Sequence, residues 1–210
     1  MTRRLFAFAL LLTAFSTTAI AQDPESMKAS APASSSTNDD STSPGLEEGG
    51  GILFGKHFAF TVQAPKGWLF DNQSGVPQGL HAVLYRKGET YAKSDSIMYA
   101  RGSDEDPGNP RTLDQFMADD LADFRENSPD VKTFELDGFT SALDAPVHVV
   151  GYRGDQWGNV EAVAYIQHGG DFYLLVLTAR SQQRFDADLP AFRAFVHSLM
   201  PMDRNDEPSH

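Results

Sequence analysis

The 210-residue chain has no cysteine. That excludes disulfide staples, thiolate nucleophiles, cysteine-ligated zinc and lipid attachment at a cysteine behind a leader. Positive charge is scarce: 17 Lys and Arg stand against 29 Asp and Glu, a formal charge of −12 at pH 7. Nucleic acids and anionic lipid surfaces both need a basic face, so that balance argues against either as a partner. Catalytic signatures are also missing. No G-x-S-x-G occurs, and Ser74 falls in "NQSGV", a turn. The six histidines, His57, His81, His148, His168, His197 and His210, show no zinc-helix spacing. Gly50-x-x-x-x-Gly55-Lys56-His57 has histidine where a P-loop needs a hydroxyl for magnesium, and it leads into a strand pattern instead of a helix. No cofactor or metal is expected.

Only one apolar run is long. "LFAFALLLTAF" (5–15) follows Arg3-Arg4 and precedes Ala19-Ile20-Ala21, the small-x-small form that signal peptidase accepts. It is shorter than the roughly 20 residues of a spanning helix. Residues 1–21 are therefore read as a signal peptide cleaved after Ala21, with no integral membrane segment afterwards and a destination in the periplasm or the medium. Losing Arg3 and Arg4 moves the formal charge from −12 to −14. Residues 22–51, ending "ASAPASSSTNDDSTSPGLEEGGG", hold too few apolar groups to offset the entropy of ordering them, and are expected to be a disordered linker. "RNDEPSH" reads as a polar tail, with 203–210 outside the domain expected over 52–202.

Within that domain the pattern is strongest over 160–200. In "FYLLVLTA" (172–179), Phe172, Leu174 and Val176 share one face and Tyr173, Leu175 and Leu177 the other, as in a strand covered on both sides. Gly169-Gly170 joins it to "VEAVAYIQ" (160–167) in a short hairpin. Phe185, Leu189, Phe192, Val196 and Leu199 then recur at helical spacing. Further strands are expected at 58–63, 80–86, 96–102, 131–138 and 147–154. A helix is expected after Thr112, which with Gln115 has capping-box spacing. Its buried stripe would be Leu113, Phe116, Met117, Leu121 and Phe124, with Asp119, Asp120, Asp123 and Glu126 on the wet side. The fold class is α+β: a largely antiparallel sheet of six to seven strands with a helix on each face.

"FAFTVQAPKGW", the "VAYIQHGGDFYLLVLTA" hairpin and the closing "FDADLPAFRAFVHSL" helix together resemble the PsbP-like superfamily. This group includes the PsbP extrinsic subunit of photosystem II and the DcrB-type envelope proteins. The resemblance implies an α/β/α sandwich and a non-catalytic accessory role, docking on larger partners or chaperoning them. It supplies no catalytic residues. The basic and metal-binding surfaces of photosynthetic members have no counterpart motif here.

Few residues stand out as sites. Asp104, Glu105 and Asp106 cluster oxygens in a loop but lack the glycine and glutamate of a calcium loop, so they read as a solvated turn. Arg153-Gly154-Asp155 spells a tripeptide common by chance in a chain rich in Gly and Asp. Trp157, in a glycine-flanked polar loop, is the candidate exposed contact, since Trp is favoured where one end of a side chain meets water. The expected function is an exported accessory protein docking on an envelope protein. The alternatives are a carrier or chaperone with a small ligand or apolar segment in a groove, and an envelope hydrolase.

Overall fold

A computed structural model describes residues 46–47, 49–56, 58–103 and 110–202. The expected leader, most of the linker, His57, the Asp104–Asp106 loop and the 203–210 tail lie outside the described residues. Among the described residues, eleven strands and two α-helices follow one another as β1 (Leu46–Glu47), β2 (Gly50–Phe54), β3 (Ala59–Gln63), β4 (Trp68–Asp71), β5 (Val83–Arg86), β6 (Ser96–Gly102), α1 (Leu113–Asn127), β7 (Lys132–Glu135), β8 (Val147–Arg153), β9 (Val160–His168), β10 (Asp171–Ala179), α2 (Gln182–His197) and β11 (Met200–Pro201). The main sheet runs β1-β4-β5-β6-β10-β9-β8-β7, and a second sheet runs β11-β3-β2. Every pairing is antiparallel.

Strand β10 lies at the centre because both of its faces are apolar. Phe172, Leu174 and Val176 pack with Phe116 of α1 on one side, and Tyr173, Leu175 and Leu177 pack with Phe185, Phe192 and Val196 of α2 on the other. Its two-residue turn to β9 uses Gly169 at φ 68°. Helix α1 starts as its sequence indicates, with Thr112 Oγ1 accepting from Gln115 N and Gln115 Oε1 accepting from Thr112 N. The α+β class with one helix per face is the observed architecture.

Three details differ from the sequence reading. The strand at 58–63 is not in the main sheet; β3 is the middle of the small sheet, whose inner residues Leu53, Phe60 and Val62 join the α2-side core. The main sheet instead gains β4, because Trp68 and Phe70 are buried strand residues and not merely core aromatics after a turn. And β1 and the first two residues of β2, Gly50 and Gly51, lie within the stretch expected as linker. The glycines that suggested flexibility are there for packing: a Cβ on Gly51 would collide with the Phe70 ring, and one on Gly50 with the Val62 carbonyl.

A buried ion network fastens α2 to the sheet. Asp188, fully buried, accepts from Arg86, from Ser96 Oγ and, at 2.9 Å, from Arg184 Nε. Arg184 also reaches Glu89 at 3.1 Å. Along one flank α2 meets the segment between β7 and β8, where the Phe139 ring packs edge-on against Phe192 at 5.5 Å and Arg193 donates to the Asp137 carbonyl.

Candidate functional site: a cavity under helix α1 and an apolar sheet face

Two features adjoin at the β2–β3 hairpin. Inside it, a cavity of about 410 Å³ opens between the hairpin, the end of β6 and the flank of α1. Leu53, Phe58, Phe116 and Leu174 supply apolar walls, and His81, Arg101, Arg111, Asp119, Asp120 and Asp123 the polar ones. The Phe58 ring lies where a side chain at Gly55 or Gly102 would have to go, so those glycines let the ring settle against backbone. Arg111 spans the cavity rim, 3.0 Å from Asp119 Oδ2 and with its guanidinium 4.9 Å from the Phe116 ring centroid.

Behind this wall a chain of hydroxyls runs into the sheet. Tyr165 Oη donates to Asp120 Oδ2 at 2.6 Å and lies 2.8 Å from Tyr152 Oη. Because the Tyr165 proton is committed to the carboxylate, the Tyr152 hydroxyl is the donor between the two. The expectation that Asp120 faces water is corrected here. It follows Phe116 by four residues and Leu113 by seven, which puts it on the helix's inner stripe. Burial pushes its carboxyl above the usual range, against the Tyr165 hydrogen bond and the nearby Arg101.

The same sheet face carries Glu161, half-buried and paired in register with Tyr152 and Thr178. Burial, reinforced by Asp155 and Asp120, pushes its carboxyl up to about 8, against a hydrogen bond from Thr178. An acid held above its unfolded pKa keeps a proton that the unfolded chain has released, so this group's contribution to stability falls as pH rises from about 4.5 to about 8. Glu161→Gln is expected to make urea-unfolding stability less pH-dependent over that window. It should raise stability at pH 8 by on the order of 2 kcal/mol, and equal slopes in both proteins would refute the assignment.

Outside the hairpin, the register places residues of the small sheet in two rows: Ile52, Thr61 and Met200 in one, Phe54 and Ala59 in the other, with Met202 N donating to the Ala59 carbonyl. Directly opposed residues share a face. On this one Ile52 is 57%, Phe54 69%, Met200 47% and Met202 45% exposed. Single apolar side chains at a surface need no explanation, but four gathered on one face do.

Trp157 is 39% exposed, in the β8–β9 turn. The buried Asp155 carboxylate shapes that turn, accepting from the backbone N–H of Trp157 and of Asn159 and from the Asn159 side chain. An aspartate used in this way cannot be offered to a receptor, so the Arg153–Asp155 tripeptide is part of a fold-internal turn. Ser74 donates its backbone N–H to Asp71 as part of another turn. His148 and His168 are exposed and, by strand alternation, on opposite faces of the main sheet, so they form no pair. Among the described residues no cluster of His, Asp or Glu is placed to hold a metal ion, and no helix is long and apolar enough to cross a membrane. The sequence reading passed over Ile52, Phe54, Met200 and Met202. No local signal marked them: "GILFG" and "MPM" have no apolar–polar alternation to say which side chains face out.

No protein-family model and no curated protein matches the chain. Among solved structures it is similar to the solution structure of cyanobacterial PsbP (CyanoP) from Synechocystis sp. PCC 6803, at 12% identity over 74% of this chain and 94% of that one, with a TM-score of 0.48.

Proposed function

We propose that the protein is an exported, non-catalytic binding protein of the cell envelope that docks on a partner protein through the outer face of its small sheet. The observation that supports this most is the exposed group Ile52, Phe54, Met200 and Met202 on one face of that sheet. Flexible methionines beside a rigid aromatic suit a contact that adapts to its partner. A chain at −12 is repelled by a second copy of itself and attracted by a basic surface. The occupant is therefore a different protein, with an apolar patch rimmed by Lys or Arg. Trp157, held outward on its turn, is a second contact in this reading. Ser103, His81 and three aspartates all line the cavity, and what favours docking over hydrolysis is the exposed sheet face, not the cavity's residue types.

The test places a photo-crosslinking amino acid at position 54, at position 157, and at the exposed Val76 as control, in the full chain in its own cells. Position 54 is expected to capture one envelope protein that position 76 does not. The purified pair should lose about 30-fold or more in affinity on Phe54→Asp and weaken as salt rises. Capture of only the chain's own copies would mean self-association instead. Unchanged affinity of Phe54→Asp for the captured protein would remove the sheet face from the contact, and adducts at position 157 alone would move it to the β8–β9 turn.

A further inference from the structure

We propose that the cavity beside Asp120 binds a small organic cation with an apolar body, of the arylalkylamine kind. The inference stands apart from the docking face, because it uses none of Ile52, Phe54, Met200 and Met202. At about 410 Å³ the cavity falls within the size range of small-molecule sites, and it has their usual make-up of apolar wall and a few convergent polar groups. Phe58, Phe116 and Leu174 provide surface for the body of such a ligand.

Charge selects the head group. Three carboxylates of α1, on Asp119, Asp120 and Asp123, line the wall against the guanidinium groups of Arg101 and Arg111. Arg111 is engaged with Asp119 and with the Phe116 ring. Asp120 has given up much of its water, and the Tyr165 hydroxyl together with Arg101 nearby does not make up for it, since burial remains the strongest influence on its carboxyl. An ammonium set against Asp120 would supply the missing compensation. An anion would meet three carboxylates against two guanidinium groups, one of them already paired with Asp119, and a neutral ligand of the same shape would leave Asp120 as it is.

Calorimetric titration of the full chain with 2-phenylethylamine, 2-phenylethanol and 3-phenylpropionate tests this. The amine is expected to bind one to one, with the alcohol and the carboxylate at least about tenfold weaker, and Asp120→Asn to weaken the amine by a similar factor. Exposed Asp123→Asn should change it only a few-fold. Tighter binding of the carboxylate, equal binding of all three, or no amine binding at about 10 mM would overturn the proposal. Should Asp120→Asn fail to fold, ring-proton NMR of the unmodified chain decides. Amine-induced shifts confined to the Phe58 and Phe116 rings support the site, and shifts elsewhere or none refute it.

Discussion

Asp188→Ala is expected to destabilise the protein by about 3 kcal/mol, the lower end of the usual cost of breaking a buried ion pair from one side. The Asp188 carboxylate is fully buried, whereas the side chains of Arg86 and Arg184 keep 36% and 25% of their exposure. Deleting the acid therefore leaves two cations that can still reach water, which moderates the penalty. Ser96, itself buried, loses its acceptor as well. The loss should show as a lower urea midpoint at unchanged m and a fall in Tm on the order of 10 °C. Asp188→Leu should cost less than Asp188→Ala, because it leaves the same two cations unpaired but fills volume that alanine leaves empty. The network's position explains its size: it ties the first turns of α2 to β5, to the start of β6 and to Glu89, across about a hundred residues of chain. Indifference to Asp188→Ala would show that core burial alone holds α2 in place.

Phe192→Ala is expected to cost about 4 kcal/mol, the sum of lost transfer energy and the cavity left behind. Phe192 is fully buried in the core between α2 and the sheet, with Phe139 edge-on against it from the flank. The 136–146 segment has no helix or strand, and its attachment to α2 rests on the Phe139 ring, the Arg193 bond to the Asp137 carbonyl and the Thr140–His197 contact at 3.3 Å. Losing the ring against Phe139 should loosen that segment before the domain unfolds. Limited proteolysis checks this: cleavage within 136–146 should accelerate in Phe192→Ala under conditions where the variant is still folded by circular dichroism. If the stability loss is measured but the cleavage pattern is that of the unmodified chain, the segment is held by its polar contacts and by Leu136, Leu143 and Ala145 on the core, and the ring contact is incidental.

Most of the framework was legible because it rests on periodicity. The two-faced strand β10, the α2 stripe and the Thr112–Gln115 cap all appear in the structure where local pattern puts them, since each records which side of one element is kept from water. The misreadings share a cause. A glycine run looks the same whether it is flexible or pressed against an aromatic ring, and only the ring's arrival from β4 distinguishes the two at Gly51. Asp120 was assigned to water because its residue type outweighed its position on the helix, and only Tyr165, from a strand 45 residues away, shows why the carboxyl is tolerated there.

The candidate sites differ from the framework in this respect. Composition alone excluded thiol chemistry and argued against a nucleic-acid partner, and alternation alone specified a sheet covered on both sides. Those are properties of single elements or of the whole chain, and a linear pattern can carry them. The outer face of the small sheet needs β2, β3 and β11 side by side, with the last of them arriving from the far end of the domain. The cavity likewise needs α1, β6 and the β2–β3 hairpin to leave a gap between them. Neither surface belongs to one element, so no local sequence signal marks it. Each exists because distant segments are held together by burial of the same central strand.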